Sequence, residues 1–291
     1  MPEDSPGPDA LPPLREVIAR YGIGARRSLG QHFLLDLNIT RRIARESGNL
    51  DGQTVIEIGP GPGGLTRALL ESGAHEIIAI ERDTRAVEAL SMLRDAYPGR
   101  FTVIEQDAMT IALSSLGEPD RPRTVIANLP YNIAQRLLLS WLKDIQSVQS
   151  LTLMFQKEVA DRLVAAPGSR VYGRLSVITQ WLCQVRPLFD LPPSAFVPPP
   201  KVTSSVLRLT PRAQPLAPAR FETLERVTAA AFGQRRKMLR AALRTLSKTP
   251  LELLEQAGID PTVRAETLEV EQFCALARAV DASEDATNND Q

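Results

Sequence analysis

The stretch Thr54-Val-Ile-Glu-Ile-Gly-Pro-Gly-Pro-Gly-Gly64 joins a β-branched segment to a glycine-rich turn, and an amphipathic segment follows it at 65–72. Gly59, Gly61 and Gly64 match the pattern G-x-G-x-x-G between a strand and a helix. Glycines there let the chain turn sharply and bring main-chain N–H groups close to a nucleotide cofactor. Because such a segment can also be an ordinary turn, its meaning depends on the residues around it.

Apolar runs and amphipathic segments alternate after this turn. Continuous apolar runs are typical of strands buried on both faces of a parallel sheet. The alternation therefore predicts a doubly wound, Rossmann-like α/β domain. The expected strands are 54–58, 77–80, 101–105, 124–127 and 151–155, and the expected helices are 65–72, 84–96, 133–143 and 157–164.

The rest of the chain predicts a second, smaller domain. A helix at 175–183, strands at 185–191 and 204–209 and a stiff proline-rich loop at 192–200 complete the first domain, which is expected to span 14–211. A proline-rich linker leads to an all-helical domain at 219–280. Residues 1–13 and the acidic tail 281–291 are expected to be disordered.

Composition excludes several classes of protein. Lys and Arg number 34, Asp and Glu number 34, and 43% of the residues are hydrophobic, a globular balance. No apolar stretch approaches the roughly 20 residues of a membrane span. Cys183 and Cys274 do not form a CxxC pair, and His32 and His75 are the only histidines. We therefore expect a cytoplasmic protein with no disulfide framework, no metal site and no contact with a membrane.

Polar residues follow the expected strands. Glu81 ends the second strand, 20 residues after Gly61, where an acid contacts ribose hydroxyls in related folds. Asp107 follows the third strand and is placed to bind an adenine edge, and Asn128 follows the fourth. Both a nicotinamide dinucleotide and S-adenosylmethionine fit these residues, and the glycine turn alone does not separate the two.

The tetrapeptide Asn128-Leu-Pro-Tyr131 favours S-adenosylmethionine. Pro130 holds Leu129 extended, so that the Leu129 carbonyl can face the crevice beside the side-chain oxygen of Asn128. Two acceptors side by side suit one exocyclic amino group. Tyr131 adds a flat face on which a base could stack.

Ordered matches along about residues 11–280 give the chain a resemblance to the ribosomal RNA adenine N6-dimethyltransferases, specifically the bacterial small-subunit enzymes. The resemblance implies dimethylation of two adjacent adenosines in a hairpin loop near the 3′ end of small-subunit (16S) rRNA, during 30S subunit biogenesis. It implies S-adenosylmethionine as the cofactor, and a small-subunit rRNA partner within the 30S particle or its precursor. The matching stretches are Ser28-Leu-Gly-Gln-His-Phe-Leu34, Glu57-Ile-Gly-Pro-Gly61, Gln106-Asp-Ala108, Asn128-Leu-Pro-Tyr-Asn132, Gln156-Lys-Glu158, Tyr172-Gly-Arg-Leu-Ser176, Pro193-Ser-Ala-Phe-Val-Pro-Pro-Pro-Lys201, Phe232-Gly-Gln-Arg-Arg-Lys237 and Gly258-Ile-Asp-Pro261.

The resemblance also assigns roles to residues. His32 stands where many relatives carry Asn, in a segment expected to close over the cofactor, and histidine can likewise donate and accept. Phe196, in the proline-stiffened loop, is our candidate for a second stacking face, with a loop anchor as the alternative. The expected cofactor-binding residues are His32, Leu34, Gly59, Glu81, Asp107 and Asn128, and the expected catalytic residues are Asn128, Leu129, Tyr131 and Phe196.

Basic residues concentrate in two regions. Between Arg226 and Pro250 there are seven basic residues and no acid, and a helix is expected at 235–246. We expect Arg235, Arg236, Lys237 and Arg240 to contact rRNA phosphates. The N-terminal region adds Arg15, Arg20, Arg26, Arg27, Arg41, Arg42 and Arg45. The protein is expected to be a monomer.

The sequence leaves three other functions open. One is a large-subunit rRNA adenine methyltransferase that confers antibiotic resistance, although Tyr172-Gly-Arg-Leu-Ser176 and Gly258-Ile-Asp-Pro261 favour the small-subunit enzymes. Another is a non-catalytic ribosome-assembly factor, against which the intact Asn128-Leu-Pro-Tyr131 argues. The third is a nicotinamide-dependent dehydrogenase, for which the chain lacks an evident proton donor.

Overall fold

A computed structural model describes residues 11–25 and 30–289, with only the main chain for 287–289. The chain divides into two compact units, Met1–Ala160 with Arg186–Pro211 and Asp161–Val185 with Arg212–Gln291. The helices are α1 Leu14–Tyr21, α2 Leu37–Glu46, α3 Gly64–Leu70, α4 Thr84–Ala96, α5 Ala134–Leu142, α6 Lys157–Leu163, α7 Arg174–Leu182, α8 Phe221–Gly233, α9 Leu239–Ala242, α10 Pro250–Gln256 and α11 Val270–Asn289. The strands are β1 Phe33–Leu34, β2 Thr54–Ile58, β3 Glu76–Glu81, β4 Phe101–Glu105, β5 Arg123–Ala127, β6 Ser150–Gln156, β7 Cys183–Leu191, β8 Phe196–Val197 and β9 Ser204–Pro211.

A seven-stranded sheet in the order β4-β3-β2-β5-β6-β9-β7 organises the fold. The strands β2 to β6 pair in parallel, and β9 runs antiparallel to β6. All five residues of the central strand β2 are buried, as expected for a strand covered on both faces of a parallel sheet. The Rossmann-like α/β domain expected from the sequence is confirmed.

The glycine turn lies between β2 and α3 and brings the start of that helix close to β1. Gly59, Gly61 and Gly63 have φ values of +67°, +54° and +87°, which side chains rarely tolerate. A Cβ atom on Gly64 would lie 2.5 Å from the main-chain oxygen of Leu34. The segment can therefore reach this position only because glycine occupies it.

The proline-rich loop returns to the same region. β1 and β8 form a two-stranded antiparallel sheet in which Phe33 pairs with Val197 and Leu34 with Phe196. The loop is thus attached to the segment just before α2.

The second unit is helical and includes α7, which the sequence placed in the first domain. The Trp181 Nε1 atom donates to the Ala217 carbonyl at 2.8 Å, and Arg174 forms an ion pair with Glu225 of α8 at 2.5 Å. Phe273 of α11 is buried in this unit. These contacts explain why Asp161–Val185 belongs to the second unit and not to a continuous domain 14–211.

The helix predicted at 235–246 is wrong. α8 ends at Gly233, a turn follows, and α9 covers only Leu239–Ala242. The Leu239 amide donates to the Val263 carbonyl at 2.8 Å, and the Arg240 amide donates to the Pro261 carbonyl at 3.1 Å. These tertiary hydrogen bonds replace the ones that a longer helix would make within itself.

Both predicted disordered ends are ordered where the structure describes them. α11 continues to Asn289, and two acids of the predicted tail meet partners on α8: Thr223 donates to Asp281 at 2.6 Å and Arg226 pairs with Glu284. At the other end, the Pro12 carbonyl accepts a hydrogen bond from Arg67 at 2.7 Å. Residues 1–10 of the predicted leader lie outside the described residues.

Candidate active site

A crevice in the first unit lies at the carboxyl ends of β2, β3 and β5. Its lining includes the glycine turn at Gly59–Pro62 and the segment Gln31–Leu34. Ligands bind at this edge of a parallel sheet because the chain reverses there and leaves space between loops. Of the residues predicted to bind cofactor, His32, Leu34, Gly59, Glu81, Asp107 and Asn128 all line this crevice, as does Leu129.

Glu81 is held by main-chain amides. Its Oε1 atom accepts hydrogen bonds from Arg82 at 2.8 Å and from Asp83 at 2.9 Å, and Oε2 accepts from Gly61 at 3.3 Å. The side chain is nearly buried, and burial raises its pKa while the three amides oppose the rise. The carboxylate is therefore fixed between the end of β3 and the glycine turn.

Glu57, in the middle of the apolar run of β2, is a site residue that the sequence reasoning missed. It is 1% exposed, it lines the crevice, and its Oε2 atom has no hydrogen-bond partner among the described residues. Burial raises its pKa to about 8. An acid within a continuous apolar strand was the signal that could have identified it, since such a residue is costly unless it has a use.

Asp107 begins a single helical turn after β4. Its Oδ1 atom accepts from the Met109 amide at 2.9 Å, and its Oδ2 atom lies 3.8 Å from the Arg82 guanidinium. The capping bond leaves the carboxylate at the rim of the crevice, where it can still accept hydrogen bonds.

Asn128 and Leu129 directly follow β5 and line the crevice. The Nδ2 atom of Asn128 donates to the main-chain oxygen of His32 at 2.8 Å. Leu129 lines the crevice and is 1% exposed as a whole residue. The Pro130 carbonyl accepts from the Ala134 amide at 3.1 Å and starts α5.

Tyr131 is held on three sides. Its hydroxyl is hydrogen-bonded to the buried hydroxyl of Ser204, and its main-chain amide donates to Gly30 at 3.3 Å. Its ring centroid lies 5.3 Å from that of His32, with the planes tilted by 33°. Burial raises the pKa of the hydroxyl. Ser204 is a second residue that the sequence reasoning missed, and nothing in its local pattern marks it.

Phe196 does not offer a free face in this structure. It is 2% exposed and belongs to the core cluster that includes Leu191 and Val206. Its ring meets the His32 ring edge-on, with centroids 6.4 Å apart. Its burial favours the loop anchor over the second stacking face, the two roles that the sequence left open for this residue.

The predicted RNA-binding residues lie in the second unit. Arg236, Lys237 and Arg240 are exposed. Arg235 is committed to its own unit, because it lies 3.4 Å from a carboxylate oxygen of Glu266 and donates to Ser169 at 3.3 Å. Of the arginines predicted near the N-terminus, Arg26 and Arg27 lie outside the described residues, whereas Arg15, Arg20, Arg41, Arg42 and Arg45 are exposed.

Among the residues that the structure describes, no group of three or more His, Cys, Asp or Glu side chains could hold a metal ion. No helix in the same part of the chain combines the length and the apolar character needed to cross a membrane.

Known rRNA methyltransferases resemble this chain over most of its length. A family model described as "Ribosomal RNA adenine dimethylase" matches residues 23–282. The "Ribosomal RNA small subunit methyltransferase A" of Rhodospirillum rubrum is 64% identical over 280 residues, which are 96% of each chain.

Two solved structures share the fold at lower identity. A dimethyladenosine transferase from Plasmodium falciparum superposes with a TM-score of 0.74 at 26% identity, and the match covers 87% of this chain and 98% of the other. The 23S rRNA methyltransferase ErmE has a TM-score of 0.63 at 26% identity, with 86% and 99% covered.

Proposed function

Because the chain belongs to the ribosomal RNA adenine dimethylase family, we propose that it transfers methyl groups from S-adenosylmethionine to the N6 amino groups of two adjacent adenosines in small-subunit rRNA. The pair lies in the hairpin loop near the 3′ end of that RNA. We choose the small subunit over the large one on the basis of sequence identity. Identity is 64% to a relative named for the small subunit and 26% to the 23S enzyme.

The residues of the crevice fit S-adenosylmethionine. Glu81 would accept hydrogen bonds from the ribose hydroxyls, and Asp107 would bind the adenine edge. Main-chain atoms at Gly59 and Leu34 would contact the remaining part of the cofactor. The unpartnered Oε2 atom of the buried Glu57 suits the positively charged methionyl end, because a positive charge nearby would favour the ionised form of an acid that burial otherwise keeps protonated.

The protein's contribution to the reaction is positioning. When bound, the cofactor supplies an electrophilic methyl group on a sulfonium sulfur. The lone pair of an adenine amino group is delocalised into the ring, so the amine needs help to react. Acceptors at the Asn128 side chain and the Leu129 carbonyl would hold its hydrogens and turn the lone pair toward the methyl group. Such orientation can supply much of a rate enhancement.

The target base must leave its stack to enter the crevice. The unstacking costs a few kcal/mol, and an aromatic face can offset about 1–3 kcal/mol of it. Tyr131 is suited to supply that face, since Ser204 and Gly30 fix its hydroxyl and its main chain. The exposed Arg236, Lys237 and Arg240 would bind rRNA phosphates.

The substrate is rRNA within the 30S particle or its precursor, and the enzyme acts as a monomer in the cytoplasm. A non-catalytic assembly factor is disfavoured because Asn128, Leu129 and Tyr131 are all present and the Asn128 amide is oriented by a hydrogen bond. A dehydrogenase would not match an adenine dimethylase model over 23–282.

Transfer of a radiolabelled methyl group tests the proposal. Purified 30S subunits from a strain that lacks the two dimethyladenosines are compared with 50S subunits, using wild-type protein and a folded Asn128→Ala variant. We expect labelling of 30S particles by the wild type alone. Labelling of 50S particles in place of 30S particles would assign the enzyme to the large subunit. Absence of labelling of either would favour the assembly factor.

A further inference from the structure

The orientation of the Asn128 side chain is defined by a single hydrogen bond. Its Nδ2 atom donates to the main-chain oxygen of His32 at 2.8 Å. A carbonyl oxygen can only accept, so the NH2 group must face His32 and Oδ1 must face the other way. Asn128 lines the crevice. The atom left to accept a hydrogen from a substrate amine is therefore Oδ1.

The carbonyl of His32 is held in place by the imidazole of the same residue. Nδ1 lies 2.7 Å from the Pro198 carbonyl oxygen, and since that oxygen also only accepts, Nδ1 carries the hydrogen. The two following residues pair with β8, Phe33 with Val197 and Leu34 with Phe196. The side chain and the strand pairing thus attach the same short segment to the same loop.

The His32 ring also separates two aromatic side chains. Its centroid lies 5.3 Å from that of Tyr131 and 6.4 Å from that of Phe196, tilted toward the first and edge-on to the second. Tyr131 and Asn128 belong to one tetrapeptide, whereas Phe196 and Pro198 belong to the proline-rich loop. His32 is therefore in direct contact with both segments.

We propose that His32 is a positioning residue for methyl transfer, because its bond to the Pro198 carbonyl holds its own carbonyl against the Asn128 amide and so presents Oδ1 of Asn128 to the adenine amine. The inference rests on the proposed function, which supplies the amine. It assigns the His32 side chain, which contacts Pro198, Tyr131 and Phe196, to the orientation of the substrate amine in place of the cofactor contact that we expected from the sequence.

Three variants separate the parts of this role. His32→Phe keeps an aromatic ring but removes the donor to Pro198. His32→Asn keeps a short side chain with an N–H donor. His75→Phe is the matched control, since His75 is exposed and lies outside the crevice. For each variant we would measure kcat and KM with unmethylated 30S subunits, the Kd for S-adenosylmethionine by calorimetry, and thermal unfolding.

We expect His32→Phe to lower kcat by about tenfold or more, the scale of a small misplacement of a reacting group. The cofactor Kd should change by less than about twofold. A variant that only loosened the loop would instead lower kcat and cofactor affinity together. His32→Asn should recover kcat to within about threefold of wild type, and His75→Phe should equal it. If the Phe variant does not fold, His32→Ala takes its place.

A double-mutant cycle then asks whether His32 acts through Asn128. In an Asn128→Ala background, His32→Phe should have no further effect on the single-turnover rate. The inference is overturned if His32→Phe matches wild type, if kcat and cofactor affinity fall together, or if the two substitutions add independently. Absence of transfer by the wild-type protein would instead count against the proposed function.

Discussion

The carboxylate of Glu81 accepts a hydrogen bond from the main-chain amide of Gly61 at 3.3 Å, so the acid that ends β3 and the turn that follows β2 form one unit. Its other oxygen accepts from the amides of Arg82 and Asp83. A side chain fixed in this way loses little freedom when it binds a ligand, which favours tight binding of paired hydroxyls.

Replacing Glu81 should weaken cofactor binding. We expect Glu81→Ala to reduce the affinity for S-adenosylmethionine by ~1.5–3 kcal/mol, the scale of hydrogen bonds to a charged group. Glu105→Ala is the control, since Glu105 ends the neighbouring strand β4 but does not line the crevice. Calorimetry measures both. Unchanged affinity in a folded Glu81→Ala protein would remove this residue from the site.

Glu57 should make the free energy of unfolding depend on pH. Its pKa in the folded protein is about 8, above the ordinary value of 4.5, so the folded state keeps a proton that the unfolded state releases between these values. The free energy of unfolding should therefore fall as pH rises through this window, by up to about 1.4 kcal/mol per pH unit. Glu57→Gln carries no such proton and should lack this contribution.

Urea unfolding of the cofactor-free protein at pH 5, 6.5 and 8 measures the effect. The advantage of Glu57→Gln over wild type should grow across the series, because only the wild type must take up a proton when it folds, and this becomes more costly as the pH rises. If the free energies of unfolding of the two proteins changed in parallel with pH, Glu57 would not titrate in this range.

Tyr131 should act through its ring and not through its hydroxyl. Because the hydroxyl is bonded to Ser204, Tyr131→Phe and Ser204→Ala should each reduce kcat/KM only slightly. Tyr131→Ala should cost ~1–3 kcal/mol through lost base stacking. Steady-state kinetics with 30S subunits make the comparison. Equal impairment of the Phe and Ala variants would assign the role to the hydroxyl.

The sheet and the crevice were predictable from the sequence because they depend on local signals. β-branched runs defined β2 and its neighbours, Gly59 and Gly61 defined the turn, and the spacing to Glu81 followed from the length of a βαβ unit. The first two signals lie within a few residues of the features that they predict, and the spacing to Glu81 stays within a single βαβ unit.

The features that the sequence predicted wrongly, or did not reveal, depend on contacts between residues far apart in the chain. The helix expected at 235–246 is interrupted because Leu239 and Arg240 bond to a loop more than 20 residues later. The acidic tail is helical because Asp281 and Glu284 meet partners on α8. Ser204 escaped notice for the same reason, since only the folded sheet brings it to Tyr131.

The exposed basic residues of the second unit should determine how salt affects rRNA binding. We expect the double variant Arg236→Glu, Lys237→Glu to bind 30S subunits more weakly, and to flatten the dependence of log K on log salt by about one unit for each lost phosphate contact. Cofactor affinity should stay the same, because the crevice belongs to the other unit.

Arg94→Glu, a single charge reversal at an exposed position on α4, is the control for that experiment. Binding at several potassium concentrations gives the slopes. An unaltered slope in a folded double variant would mean that Arg236 and Lys237 only form a solvated face of the second unit.

Mapping the modified nucleotides tests the central claim most directly. Unmethylated 30S subunits are incubated with the protein and S-adenosylmethionine, and the rRNA is then analysed by primer extension and by mass spectrometry of its nucleosides. We predict N6,N6-dimethyladenosine at two adjacent adenosines of the hairpin loop near the 3′ end of small-subunit rRNA. Methylation at any other position, or no dimethyladenosine from a folded, cofactor-binding protein, would contradict the account.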